Sequence, residues 1–338
     1  MNQPANRHLQ ALFHCTAATL LAALAGAAAA VPLSFAAIDV PGQALTFTRA
    51  IGINDTGQIV GDTSRLAFVD NGGAISTFAF PGSVGVGANG INASGLIVGD
   101  WADAGARFHG YSRTTSGVFT TIDVPGATNT FAEGVNAAGQ IVGTFSDATG
   151  VQHGFIDIAG VFTALNVPGA FVTNANGIST AGVIVGEFID GTGRHGFIDT
   201  GGSFTRIDVP GATETNVTGI SADGTAFVGN FSDAGGLTHG FFDRGGLLTP
   251  VDIPGASFTT AFGINNAGLI VGAFGTGTTT FNDVHGFVAE AISGEVSEPS
   301  TVLLLGLGLG FFALSQRIER PSRQKSGVKA RARRLTHS

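Results

Sequence analysis

The fold is decided by a stretch of the third of six similar units: Phe119-Thr120-Thr121-Ile122-Asp123-Val124-Pro125-Gly126, then Gly134-Val135-Asn136, then Gly139-Gln140-Ile141-Val142-Gly143-Thr144-Phe145, then His153-Gly154-Phe155. Each piece is short, rich in β-branched and aromatic residues, and bounded by turn formers, as strands are. Aligning the chain on Pro-Gly places the copies at Pro41, Pro81, Pro125, Pro168, Pro210 and Pro254, 40 to 44 residues apart. The turns between the strands have a mechanism. Asn54-Asp55-Thr56-Gly57, Asn136-Ala137-Ala138-Gly139 and Asn265-Asn266-Ala267-Gly268 put Asn first, to cap the turn, and Gly last, to take the left-handed position. Asp147-Ala148-Thr149-Gly150 and Asp190-Gly191-Thr192-Gly193 do the same for the next pair of strands. Pro-Gly follows the outer strand, because proline removes a ladder donor.

Four antiparallel strands in a unit of about 43 residues match a propeller blade. The expectation is an all-β chain of six four-stranded blades over residues 31–290. Residues 33–40 would complete the blade begun at 261–290, so that the ring closes without an open edge. An open stacked array of the same units is the alternative.

Composition agrees with tight turns and short strands: Gly supplies 53 of 338 residues and Phe 27, with one Met, one Trp and one Tyr. Residues 31–294 hold 7 Arg, no Lys and 21 Asp plus Glu. So acidic a body would repel phosphates, which argues against a nucleic-acid partner. Cys15 is the one cysteine, so no disulfide framework exists.

Both ends read as addresses. Arg7 and His8 precede an apolar run that closes on Ala28-Ala29-Ala30, the pattern of a secretory signal peptide (1–30) cleaved after Ala30. At the other end a linker (291–300) contains Ser297-Glu298-Pro299, followed by an apolar segment (301–316) and a basic tail (317–338) with 8 Lys and Arg. The apolar run is short for a spanning helix, which needs about 20 residues, and the basic end would hold it in the cytoplasm. This tail resembles the PEP-CTERM sorting signal, although Ser297 stands where that motif has its first proline. The resemblance implies an exosortase-type sorting enzyme and the secretion machinery as partners. It also implies a transient anchor in the inner membrane, then release to the cell surface or medium.

The repeats resemble the HAF-repeat family of extracellular proteins, through Phe108-His109-Gly110-Tyr111 and through His-Gly-Phe at His153, His195, His239 and His285. Gly52-Ile53-Asn54 and Ile59-Val60-Gly61 are its companion phrases, and the first copy departs with Leu66-Ala67-Phe68. The family brings a location and a fold but no activity.

Five histidines, one per unit, would stand on separate blades, too far apart to share one metal ion. They are expected to be structural, each imidazole satisfying backbone groups. The turn aspartates are accounted for by capping rather than calcium, and Asp39, Asp123, Asp208 and Asp252, each two residues before a Pro, are read as structural too. Chemistry would break the repeat, because it needs different groups converging on one point. The residues that break it are Trp101, Arg107, Glu133, Glu187 and Glu214. The position after Val-Gly varies as Asp62, Asp100, Thr144, Glu187, Asn230 and Ala273. That variation is read as drift of an exposed face, so no catalytic, cofactor-binding or metal-ligating set is expected. The expected role is that of a non-enzymatic envelope or matrix protein. A polysaccharide is the candidate ligand, and an enzyme acting on polysaccharide is the weaker reading.

Overall fold

The computed structural model describes residues 33–42, 46–277 and 283–291. The signal segment with Ala30, the Ser297-Glu298-Pro299 motif, the apolar run 301–316 and the basic tail lie outside the described residues. All regular structure among the described residues is β, and no helix there is long and apolar enough to cross a membrane.

The third copy shows how the unit folds. An inner strand, Asn129–Val135, pairs antiparallel with Ile141–Ser146, then Gln152–Ile158, then the outer strand Val161–Leu165. Asn136 makes the first turn: its Oδ1 accepts from the Ala138 and Gln140 amides at 3.1 and 3.0 Å. Gly139 then takes φ of 78°, which costs glycine nothing. Phe155 is fully buried and lies over Gly143, directly opposite it in the ladder. A Cβ on Gly143 would come within 2.8 Å of the Phe155 ring and 2.0 Å of the Phe131 carbonyl. The recurring Ile-Val-Gly and His-Gly-Phe phrases are therefore two halves of one contact, a bare backbone under an aromatic ring. Phe68, Tyr111, Phe197, Phe241 and Phe287 are equally buried at the same place in other copies.

Three more sheets repeat this order, spanning Gly85–Ile122, Val172–Ile207 and Glu214–Val251. The remaining strands form an eight-stranded sheet. Phe258–Ile264, Ile270–Gly275 and Asp283–Ala291 run in sequence, with Leu33–Ile38 antiparallel to the last of them. A short parallel contact, Thr46 with Asp283 and Phe47 with Val284, joins them to the four strands between Thr46 and Phe78. Sheets pack face to face: the cluster around Phe155 includes Val98 from the preceding copy. The architecture is a β-propeller.

Each inner strand carries a bulge at one position, between Ala and Gly in five copies and between Val217 and Gly219 in the other. The extra residue is Ile51, Asn89, Glu133, Asn176, Thr218 or Phe262. A bulge re-aims a side chain, and here all six line one central passage.

Candidate functional site at one mouth of the central channel

The five histidines do what the repeat implies but with different partners from those expected. They bind side-chain oxygens, not backbone groups. His109 Nδ1 lies 2.9 Å from Asp123 Oδ2, and its Nε2 is 3.5 Å from Asp103. His195 bridges Asp208 at 2.8 Å and Asp190 at 3.4 Å, His239 bridges Asp252 and Asp233, and His285 bridges Asp39 and Asp283. At His153 the first partner is Asn166, at 2.8 Å. Each imidazole also lies against the aromatic residue opposite it, from Trp101 on His109 at 4.5 Å to Phe274 on His285 at 5.3 Å. The imidazole thus ties the second-to-third turn to the loop after the outer strand. The one copy that lacks the histidine, Leu66-Ala67-Phe68, also has Ala79 where the others have Asp or Asn. The turn carboxyls are held low. Asp147 falls to about 2 because the Thr149 hydroxyl and then backbone amides donate to it. His239 and His285 are raised, since their bonds to Asp252 and Asp39 outweigh the desolvation that opposes them.

Of the residues read as surface drift, Glu133 and Asp100 line the channel mouth, and Asp62 borders an adjoining groove. Asp62, Asp100, Thr144, Glu187, Asn230 and Ala273 each stand opposite an inner-strand residue, as Arg49 with Asp62 and Asn174 with Glu187. Asp62, Thr144, Glu187 and Ala273 are buried. The sequence could not show this, because positions about 43 residues apart converge only when the sheets surround an axis.

Among them lies a cavity of about 270 Å³ lined by Arg49, Asn89, Asp100, Glu133, Asn176 and Asn216, with Ile51, Thr218 and Phe262. Arg49 is bound to Asp62 through Nε and Nη2, Nε to Oδ1 at 2.9 Å. Asn89 Nδ2 donates to Asp100 Oδ1 at 3.0 Å and to the Ala132 carbonyl at 3.1 Å. Asn176 Nδ2 donates to Asn216 Oδ1 at 3.1 Å and to the Val217 carbonyl at 2.8 Å. Desolvation, with Asp62 adding to it, raises the Asp100 carboxyl to about 6. Glu133 is pushed up to about 8, first by desolvation, then by Asp100 and Glu187. Beyond this mouth, Arg194 pairs with Glu187 and lies 3.8 Å from Glu214. A groove of about 530 Å³ adjoins the cavity, shares Arg49 and Asp100 with it, and adds Phe47 and Phe108.

Of the residues flagged as breaking the repeat, Glu133 lines this cavity, Glu187 stands near it, and Glu214 is exposed near Arg194. Trp101 does not. It is sandwiched between Phe80 at 4.3 Å and His109, so neither indole face is free. Arg107 is spent on the Ala127 carbonyl at 3.0 Å.

At the opposite end of the channel one bond recurs in the four copies that carry Asn there, Ser179 and Ser221 standing in the other two. Asn54, Asn92 and Asn136 each donate to the carbonyl of the corresponding residue in the next copy, at 3.0, 2.9 and 3.2 Å, and Asn265 donates to the Asn54 carbonyl at 3.1 Å. These amides border a second cavity, of about 430 Å³. Among the described residues no cluster of His, Cys, Asp or Glu is arranged to hold a metal ion.

No protein-family model matches the chain, and no curated protein matches it. Among solved structures, the chain is similar to the putative TolB of Agrobacterium tumefaciens, with a TM-score of 0.52 at 15% identity over 72% of this chain and 89% of that one. AofleA from Arthrobotrys oligospora is similar with a TM-score of 0.49 at 13% identity, over 78% and 90% of the two chains. The likeness to the first is one of fold, and it agrees with the sheet order: the chain is a β-propeller protein.

Proposed function

We propose that this is an exported, non-enzymatic propeller that binds a glycan at the Arg49–Asp100–Glu133 mouth. One observation carries the reading. The copies keep the same turn positions and ring-over-glycine contacts, and five of the six keep the bridging histidine, yet they differ from one another at the bulge and at the position after Val-Gly. The bulge residues line one end of the channel, and Asp100 joins them there from the position after Val-Gly. Scaffold positions repeat because every blade needs the same packing, whereas a ligand site needs different groups around one point. Amides, carboxylates and a guanidinium around a cavity, with Phe47 and Phe108 in the next groove, suit a ligand with many hydroxyls and flat apolar faces.

In this reading the propeller is a ring of six blades, closed by residues 33–38 against 283–291. The Asn265 and Asn266 bonds to Asn54 and Asp55 support that closure. The signal-like start and the PEP-CTERM-like tail support export, a transient inner-membrane anchor and sorting by an exosortase-type enzyme. The HAF-like phrases support an extracellular destination. The described chain leaves the sheet at Ala291, beside Leu33, at the end of the strand away from His285 and the mouth.

The test is a glycan array probed with the full-length chain and with Ile51→Trp, which fills the mouth without removing a hydrogen bond. Binding by the native chain, lost in a variant with an unchanged thermal melt, is the expected result. Absence of any glycan binding, or binding indifferent to Ile51→Trp, would overturn the reading.

A further inference from the structure

We infer that the sugar held at this mouth carries a free amine, its ammonium group seated between Asp100 and Glu133; this rests on the glycan reading above. Charge and partnership at the cavity lead to it. Among the described residues that line it, Arg49 is the one cation, and its Nε and Nη2 are engaged by Asp62. The Asp100 carboxyl is held by the Asn89 amide alone. The Glu133 carboxyl has no hydrogen-bond partner among the described residues, though it lies deep among protein atoms and borders the cavity. Behind Glu133 stands Glu187, whose charge is already answered by Arg194 and Asn174.

Asp100 and Glu133 therefore share one small cavity with a single cation, Arg49, whose charge reaches both but whose hydrogen bonds go to Asp62, so carboxyls outnumber cations there. A buried charge is tolerated when it is paired, and a ligand ammonium would supply that partner. Three features favour an amino sugar over other cations. A divalent metal ion seeks several anionic oxygens, yet both Asp62 oxygens are bound to Arg49 and Asp100 Oδ1 already accepts from Asn89. A lysine side chain would leave unused the Asn89 and Asn176 amide oxygens and the Asn216 amide nitrogen, which border the cavity without a partner among the described residues and suit the hydroxyls of a sugar ring. The adjoining groove with Phe47 and Phe108 offers flat apolar contact to the next rings of an oligomer. The ligand class is thus an oligosaccharide of amino sugars that are not acylated on nitrogen.

Raised carboxyls support the geometry and provide a second readout. Near neutral pH Glu133 holds its proton, and an arriving ammonium group expels it. Binding should then release a proton, measured as a dependence of the calorimetric heat on the buffer's ionisation enthalpy.

The experiment titrates the full-length chain by calorimetry with glucosamine oligomers, their N-acetylated counterparts, neutral glucose oligomers and spermidine. Glucosamine oligomers should bind with proton release and at least about tenfold more tightly than the N-acetylated or neutral series. Glu133→Gln and Asp100→Asn, which keep the volumes, should each weaken that binding about tenfold or more, while thermal melts show both variants folded. Equal affinity for acetylated or neutral oligomers, unaffected by the two variants, would overturn the inference and leave the glycan reading standing. Spermidine binding without any sugar binding would overturn both, as would the absence of all binding.

Discussion

Replacing Glu133 by Gln should stabilise the protein in alkali and leave it nearly unchanged in mild acid. The ordinary value for this carboxyl is 4.5, and its place at the channel raises it to about 8. A shift of that size at about 1.4 kcal/mol per pH unit sets a ceiling of about 5 kcal/mol on the cost of ionising it in the folded chain. Water reaching the channel mouth screens part of this, so about 1–3 kcal/mol is the working figure. The direction follows from proton binding. Between 4.5 and about 8 the folded carboxyl keeps its proton while the unfolded one has lost it, so stability falls as pH rises through that window and levels off above it. Gln cannot ionise and escapes the loss. Urea unfolding of both proteins at about pH 5 and about pH 9 measures the effect. The variant should match the native chain within about 0.5 kcal/mol at the lower pH and exceed it by about 1–3 kcal/mol at the higher. A gap that does not grow with pH would refute the reasoning. So would a variant less stable in alkali, because Glu133 would then be a paired, stabilising carboxylate.

Phe155→Ala removes a fully buried ring and should cost about 3–5 kcal/mol in a denaturant titration; a loss well below about 1 kcal/mol would contradict its place in the core. Ala159 sits at φ of 53° in a turn where other copies have Gly-Gly, so Ala159→Gly should gain about 0.5–1 kcal/mol, read as a higher urea midpoint. The raised His239 and His285 stabilise the fold fully below about 6.5 and lose that contribution as pH rises through their folded values; His239→Asn and His285→Asn should flatten this part of the melting-temperature profile. Truncating residues 33–38 exposes the edge of Asp283–Ala291, and a lowered melting temperature with concentration-dependent association is expected.

The strands, their turns and the copy boundaries were legible in the sequence because they rest on local chemistry: Asn or Asp opening a turn, Gly closing it, Pro-Gly ending a strand. The histidine partners were harder to see. Asp123 lies 14 residues after His109, and Asp39 lies 246 residues before His285, so only the strand pairing brings them together. One clue was present, since the copy without His also lacks the Asp. The mouth was the least legible part. Its signal was the single changing residue between Ala and Gly in the inner strands, beside a changing position after Val-Gly. Variation in a strand suggests an exposed face, but here it marks side chains turned toward a channel. Trp101 illustrates the converse: it too breaks the repeat, yet it packs between Phe80 and His109 and stays out of the cavity.

The central claim is that the copies differ where a ligand sits. Its most direct test is a crystal structure of the full-length chain with the best-binding oligosaccharide from the array. A sugar ring among Arg49, Asn89, Asp100, Glu133 and Asn176 is the predicted result. A ligand seated instead on the Asn54–Asn92–Asn136 end, or on the outer strands, would contradict it.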